Sequence, residues 1–376
     1  MDFLKGLACI LMVLAHSAGA GDTPLAAILA GQGSQLVRLA YLAGEAAPVL
    51  FFSVSGVAAY LQARRYSPGV VFVSCLLMFL LGFSYNGITQ GDFYREPRIE
   101  ILQIIAVGTL AVYCLARVRQ RASVLFLALS VAAFAVKVAS DYMPELTDLL
   151  LLKKEVFVPP GAFPLFPWLS LFFGGAFAYS AQNRSNLVMA AACALLLLVL
   201  RALSFPLQLT NKWDMSVGYF LLSLSAVFLC FYVVRRFGYF RRKDGKRLVL
   251  FWGQSSLLFL FVHKTVISAL HGWLSMSAQL APWPIMPIAF WSTVIVVTTI
   301  LMIAILACSR RVEVSRWFED IRPWVLLMCL VLSVPILVEN GTMLYALELA
   351  FGIVFAAYYP VLRRSIQGAR SQVLSA

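Results

Sequence analysis

Residues 285–308 read IMPIAFWSTVIVVTTILMIAILAC, a run of 24 residues without one charged side chain. An α-helix rises 1.5 Å per residue, so about 20 apolar residues cross the roughly 30 Å of bilayer hydrocarbon. Working outward from this run, the same texture recurs at 3–20, 43–62, 68–86, 99–116, 122–140, 164–181, 186–206, 216–234, 248–273, 323–339 and 341–360. Lipid offers no hydrogen-bond partner to a bare backbone, so long apolar spans must be helical. The sequence therefore predicts an all-α, polytopic membrane helix bundle of about 12 transmembrane helices (10–12). The open point is residues 323–360. Glu339-Asn340-Gly341 either separates two spans or sits inside one re-entrant or tilted unit.

Composition agrees with a chain that lives in lipid. Hydrophobic residues make up 61% and charged residues 12% of the 376, whereas a soluble domain carries about 25% charged residues. The net charge of +13 would suggest nucleic acid in a soluble protein. Here the basic residues cluster between apolar runs, as the positive-inside rule requires, and no nucleic-acid partner is expected. With the N-terminus in the cytosol and the spans alternating, the cytosolic segments hold 21 Lys and Arg residues and the opposite side 6. Both termini are thus read as cytosolic, and the membrane as a bacterial inner (plasma) membrane. The first run is read as a retained span rather than a cleaved leader. The seven cysteines lie in or beside apolar runs without a CxxC, which predicts neither disulfides nor a thiolate metal site.

The expected organisation is a core over 1–273, further membrane helices over 274–362 and a flexible cytosolic tail over 363–376. Two extracytoplasmic loops stand out, the polar 87–98 and the long 141–163. The basic, aromatic stretch 235–247 is read as a topology anchor on anionic lipid.

Polar residues inside apolar helices carry the functional signal, because each is expensive there. The chain has three histidines: His16, His263 and His271. His16 lies eleven residues past Lys5, about 16 Å along a helix, in the outer half of the membrane. Imidazole is the usual general base near neutral pH. A histidine bonded to a neighbouring carbonyl is the plainer reading. His263 with Lys264 is read as a second polar site or as a core histidine, and His271 as interfacial. Lys137, Arg201 and Glu348 are read as snorkelling or paired. Three scattered histidines give no metal-binding spacing.

The stretch Asp2-Phe3-Leu4-Lys5-Gly6-Leu7-Ala8, followed by an apolar run and His16, resembles the start of transmembrane acyltransferases. These include the acyltransferase type 3 proteins and the heparan-α-glucosaminide N-acetyltransferase-like proteins. Pro48 to Gly56 (PVLFFSVSG) is similar to that superfamily's second span, and Arg98-Ile99-Glu100-Ile101-Leu102-Gln103 to a segment of the glucosaminide branch. Phe163 to Trp168 (FPLFPW) resembles the Pro-Leu-x-Pro-Trp start of another span. Phe251 to Leu257 with His263 resembles a Gly-Arg-x-Ser-Leu element that ends in histidine, with Gln254 and Phe259 departing from it.

The resemblance implies an O- or N-acyltransferase. It would move an acyl group, acetyl first among them, from cytosolic acetyl-CoA or another acyl-CoA to an extracytoplasmic glycan or lipid-linked sugar. His16 would act as base or acyl carrier, with Glu45 orienting it unless Glu45 is a solvated loop carboxylate. Lys5, Arg64 and Arg65 would meet the donor's phosphates, unless the arginines only anchor the topology. Arg98, Gln103, Trp168, His263 and Ser55 would face the substrate. The competing readings are a helix-end ion pair at Arg98 and an interfacial Trp168. Membrane lipid and the sugar acceptor are the expected partners, a homodimer is allowed, and no metal is expected. The alternative from another class is a proton-coupled transporter or lipid/glycan flippase that relays protons through His16, Glu45 and His263.

Overall fold

The computed structural model describes residues 1–18, 35–90, 99–118, 123–143, 145, 156–159, 163–209, 211–237, 247–276, 286–310 and 312–375. Among the described residues there are fifteen helices and no β-strand. They are α1 (Asp2–Ala18), α2 (Gln35–Gly44), α3 (Ala47–Arg65), α4 (Pro68–Gln90), α5 (Ile101–Val118), α6 (Ser123–Tyr142), α7 (Leu165–Ser180) and α8 (Asn183–Ala202). The second half of the chain adds α9 (Val217–Phe237), α10 (Arg247–Gln254), α11 (Ser256–Met276), α12 (Met286–Ser309), α13 (Val312–Trp317), α14 (Arg322–Leu337) and α15 (Gly341–Ser375).

Among the described residues, nine helical stretches are long and apolar enough to cross a membrane, and the apolar Leu165–Ser180 and Arg322–Leu337 are shorter. Eleven of the twelve runs picked out in the sequence each overlap mainly one helix, α1 included, and 248–273 covers two. The protein is a polytopic helical membrane protein. Its outward faces suit lipid: Val188, Leu195 and Leu198 on α8, and Val296, Ile300 and Ile303 on α12, are exposed. Water would disfavour such contiguous apolar surface, whereas acyl chains match it.

Three details go beyond the sequence reading. Residues 323–360 form two helices, because Asn340 starts a new one. Its side-chain oxygen accepts from the Met343 N–H at 3.0 Å and its carbonyl from Leu344 at 2.9 Å, an N-cap arrangement. The expected span 248–273 divides at Ser255 into α10 and α11. The ladder runs on through the break, with Ser255 N–H bonding the Phe251 carbonyl and Phe259 N–H bonding the Ser255 carbonyl, each at 3.0 Å. The short helix α2 had no counterpart in the sequence reading.

The chain divides into two compact units, each discontinuous in sequence. The first comprises Met1–Phe51, Lys243–Trp317 and Ile353–Tyr359. In it α1 packs against α2, α10, α11 and α12. The second comprises Phe52–Arg242, Phe318–Gly352 and Pro360–Ala376. Within it α7 is the central element, touching α5, α6, α8 and α9, and residues 167–178 are all buried.

Between membrane helices there is no hydrophobic gain, so small residues that allow close backbone approach carry the packing. In the second unit this happens reciprocally. A Cβ on Gly56 of α3 would run into the Phe172 carbonyl of α7, and one on Gly175 of α7 into the Ser53 carbonyl of α3. Gly56→Ala and Gly175→Ala are each expected to destabilise by about 1–3 kcal/mol, seen as a lower melting temperature in detergent. Gly69→Ala, with nothing within 4 Å of its added methyl, should be neutral.

Lys137 is paired as expected, with Asp141 one turn away, and Arg201 is exposed at the end of α8. Glu348 is neither paired nor snorkelling. It is fully buried on α15, Ser84 donates to its backbone carbonyl at 3.1 Å, and neither carboxylate oxygen has a hydrogen-bond partner. Glu348→Leu removes two unsatisfied acceptors and should stabilise the protein by roughly 1–3 kcal/mol. A drop in melting temperature instead would show that the carboxylate is a supporting contact.

Candidate active site

The first unit brings the two ends of the resemblance together. Gly6 of α1 lies against α10 so closely that a Cβ there would overlap the Val249 carbonyl, and a Cβ on Gly253 would overlap the Asp2 carbonyl. Gln254 Nε2 donates to Asp2 Oδ2 at 3.4 Å, and the Cys9 thiol reaches the Trp252 carbonyl at 3.9 Å. Trp252 is in turn held by its indole N–H, which donates to Thr299 Oγ1 of α12 at 2.9 Å. Glycine is needed at 6 and 253 because backbone meets backbone there. The register of α1 against α10 and α11 is thereby set at the Asp2 end of α1.

That register carries up to His16. Its Nδ1 lies 2.9 Å from Nε2 of His263 on α11, with the rings nearly parallel at 13° and centroids 5.1 Å apart. His263 is completely buried, and the Phe259 ring stacks on it at 5.1 Å. The Phe259 carbonyl, one turn earlier on α11, is 2.7 Å from His263 Nδ1.

These contacts determine the protons. A carbonyl only accepts, so His263 Nδ1 carries the hydrogen. In the neutral ring Nε2 is then the acceptor, and His16 Nδ1–H donates to it. When His16 is neutral, its Nε2 is the nitrogen without a proton. A helix carbonyl thus orients one imidazole, which orients the next, the half-buried His16.

Of the other sequence candidates, Lys5 and Glu45 belong to this same unit. Lys5 is half-buried on α1. Glu45, expected as a possible loop carboxylate in solvent, is only 4% exposed. It follows Gly44, whose backbone rests on that of Ala15, the residue before His16.

Ser55, Arg64, Arg65, Gln103 and Trp168 fall in the second unit. Ser55 is buried in α3, and Arg64 and Arg65 are exposed at its end. Arg64 Nη2 donates to Tyr60 Oη at 3.1 Å. Gln103 is buried, its Oε1 accepts from the Glu100 N–H at 2.9 Å, and its side chain covers Gly82. It caps the start of its own helix. Trp168 is fully buried rather than interfacial. It packs on Phe52 at 5.1 Å and Phe163 at 5.2 Å, and its indole N–H has no acceptor. Arg98 lies outside the described residues.

The sequence reading left His263 as a second polar site with Lys264, a core histidine or a substrate contact. The structure makes it the partner of His16, 247 positions away. It also missed Phe259, whose contribution is a backbone carbonyl and a ring face. Neither carries a residue-specific signature, so only the helical spacing of 259 and 263 hinted at it.

The family model described as heparan-alpha-glucosaminide N-acetyltransferase, catalytic, matches residues 1–203, more than half of the chain. Comparison with curated proteins gives no match, and comparison with solved structures gives none. The matched segment contains the Asp2–Gly6 seam and His16, one member of the histidine pair. The chain belongs to the heparan-alpha-glucosaminide N-acetyltransferase catalytic family and is an integral membrane acetyltransferase.

Proposed function

We propose that the protein transfers an acetyl group from cytosolic acetyl-CoA to a hydroxyl or amine of an extracytoplasmic glycan or lipid-linked sugar, in a plasma membrane. The observation that carries this reading is the hydrogen-bonded pair of His16 and His263, with its orientation set by the Phe259 carbonyl.

A hydroxyl attacks a thioester as its proton leaves, and a neutral amine must shed a proton once it has attacked. His16 Nε2 takes that proton, the acceptor atom bonds to the acetyl carbon, and the coenzyme A thiolate departs and collects the proton. While His16 is cationic, its Nδ1–H remains directed at His263 Nε2, which disperses the charge. His263 acts here as the carboxylate does in a serine-hydrolase triad, by orienting and stabilising the imidazolium. The second route has His16 Nε2 attack the thioester itself, giving an acetyl-imidazole that the acceptor then opens. Both routes use the same nitrogen and the same partner.

The remaining assignments are part of the same proposal. Residues 1–273 form the catalytic core, 274–362 complete the bundle and 363–376 are a cytosolic tail. Arg64, Arg65 and Lys5 receive the donor's phosphates. Glu45 supports His16, and Ser55, Arg98, Gln103 and Trp168 shape the acceptor side. A homodimer is compatible with this scheme.

The test uses full-length protein in lipid nanodiscs with radiolabelled acetyl-CoA and a panel of amino and neutral sugars. His16→Ala and His263→Ala should each slow acetyl transfer by about 10²–10⁴-fold. The double variant should be little slower than His16→Ala alone, since groups acting as one unit are not additive. Wild-type turnover by both single variants would overturn the reading. So would an inert wild type that moves a solute down a proton gradient in vesicles.

A further inference from the structure

The seam between α11 and α12 in the first unit holds three buried polar atoms without a hydrogen-bond partner among the described residues. They are His271 Nε2 on α11, and Trp291 Nε1 and Thr298 Oγ1 on α12. Trp291 and Thr298 lie about two turns apart on one face of α12, and Val294 and Met302 continue that buried stripe. α12 packs against α11 and α1, the two helices that carry the histidine pair.

Thr298 differs from the other threonines of these helices. A threonine hydroxyl inside a helix commonly donates to the carbonyl one turn back. Thr265, Thr293 and Thr299 all do so, at 3.2, 2.8 and 2.6 Å. Thr298 is completely buried and does not. A donor left unmet between membrane helices costs stability, so packing alone gives no reason for this hydroxyl.

Two contacts fix its depth. At the Met276 end of the seam the His271 ring meets Phe290 edge to face, with centroids 5.3 Å apart. At the α10 end the Trp252 indole donates to Thr299 Oγ1 at 2.9 Å, and the Trp252 and Phe259 rings lie 6.3 Å apart. Residue numbers fall along one side of the seam as they rise along the other, so α11 and α12 run antiparallel. Eight residues separate His271 from His263, and eight separate Phe290 from Thr298. Equal rise then brings Thr298 level with the His263 ring to within about one turn.

The histidine pair supplies a base but leaves another need unmet. A thioester under attack moves its carbonyl π electrons onto oxygen, and a donor already placed at that oxygen lowers the barrier. His263 cannot be that donor, because Nδ1 is committed to the Phe259 carbonyl and Nε2 to His16.

We propose that Thr298 is the oxyanion donor of acetyl transfer, its hydroxyl donating to the acetyl carbonyl oxygen of the thioester. The acceptor atom bonds to the acetyl carbon, and the carbonyl π pair moves to oxygen, where the Thr298 O–H holds it. The re-forming carbonyl then expels the coenzyme A thiolate. Thr298 keeps its proton throughout; the acceptor's proton passes to His16 and on to the thiolate. The proposal rests on the acetyl-transfer reading and adds to it a residue of α12, outside the matched residues 1–203.

The experiment compares wild type with Thr298→Val, Thr298→Ser and Thr293→Val, each full-length in nanodiscs. The donors are acetyl-CoA and its dithioester analogue, in which sulfur replaces the carbonyl oxygen. Thr298→Val keeps the shape and loses the hydroxyl. It should lower kcat about 10²–10³-fold and leave the KM for acetyl-CoA near wild type. Thr298→Ser retains a hydroxyl and should restore most of the rate. Sulfur accepts hydrogen bonds weakly, so the Thr298→Val to wild-type kcat ratio should approach one with the dithioester. Since no protein group uses the hydroxyl, the melting temperature of Thr298→Val should equal or exceed that of wild type. Thr293→Val, on the exposed face of α12, is the control with unchanged kcat.

A wild-type kcat in Thr298→Val would overturn the proposal and leave acetyl transfer standing. A kcat loss of equal size with both donors, or one accompanied by a lower melting temperature, would make Thr298 a packing residue and overturn it too. A wild type that turns over neither donor would remove acetyl transfer, and the oxyanion role with it.

Discussion

The proposed chemistry depends on a relay of two hydrogen bonds between membrane helices, from His16 to His263 and from His263 to the Phe259 carbonyl. In water an imidazole has many partners and no fixed tautomer. In a bilayer interior a polar ring must find its partner within the protein, and that necessity also fixes where its proton sits. A helix carbonyl at Phe259 normally accepts only from its own helix. Here it takes a second donor, one turn on, and so converts backbone geometry into the protonation state of a side chain on another helix.

The relay needs α1 and α11 in one register, and the packing that supplies it is built from absences of side chain. Gly6 and Gly253 let α1 and α10 touch backbone to backbone, while Asp2, Cys9 and Trp252 tie the same seam. The second unit uses the same device at Gly56 and Gly175, so that α3 and α7 meet closely around Phe52 and Phe172. In both units the glycines adjoin the motif residues, which gives those motifs a mechanical role besides any chemical one.

The span pattern was legible because lipid imposes one rule on every residue of a crossing helix. Runs such as 285–308 and 216–234 therefore map directly onto α12 and α9. Breaks set by single contacts were less legible. Asn340 caps α15 through its side chain, and Ser255 divides a span without interrupting its hydrogen bonds. At the site, His16 was recognisable as a polar residue in an apolar helix. Its partner was not, since sequence distance carries no information about which helices touch. Trp168 and Gln103 also have structural duties that their types did not signal, since the one is buried in the core and the other caps its helix.

The pairing of residue 16 with residue 263 also has a consequence for how the chain can be divided. The segment that resembles its relatives stops at residue 203, and α11 follows it by more than fifty positions. A fragment cut at the homology boundary would retain the basic imidazole and lose the ring that orients it. A piece that keeps the histidine pair therefore has to reach at least through α11, well past the end of the matched segment.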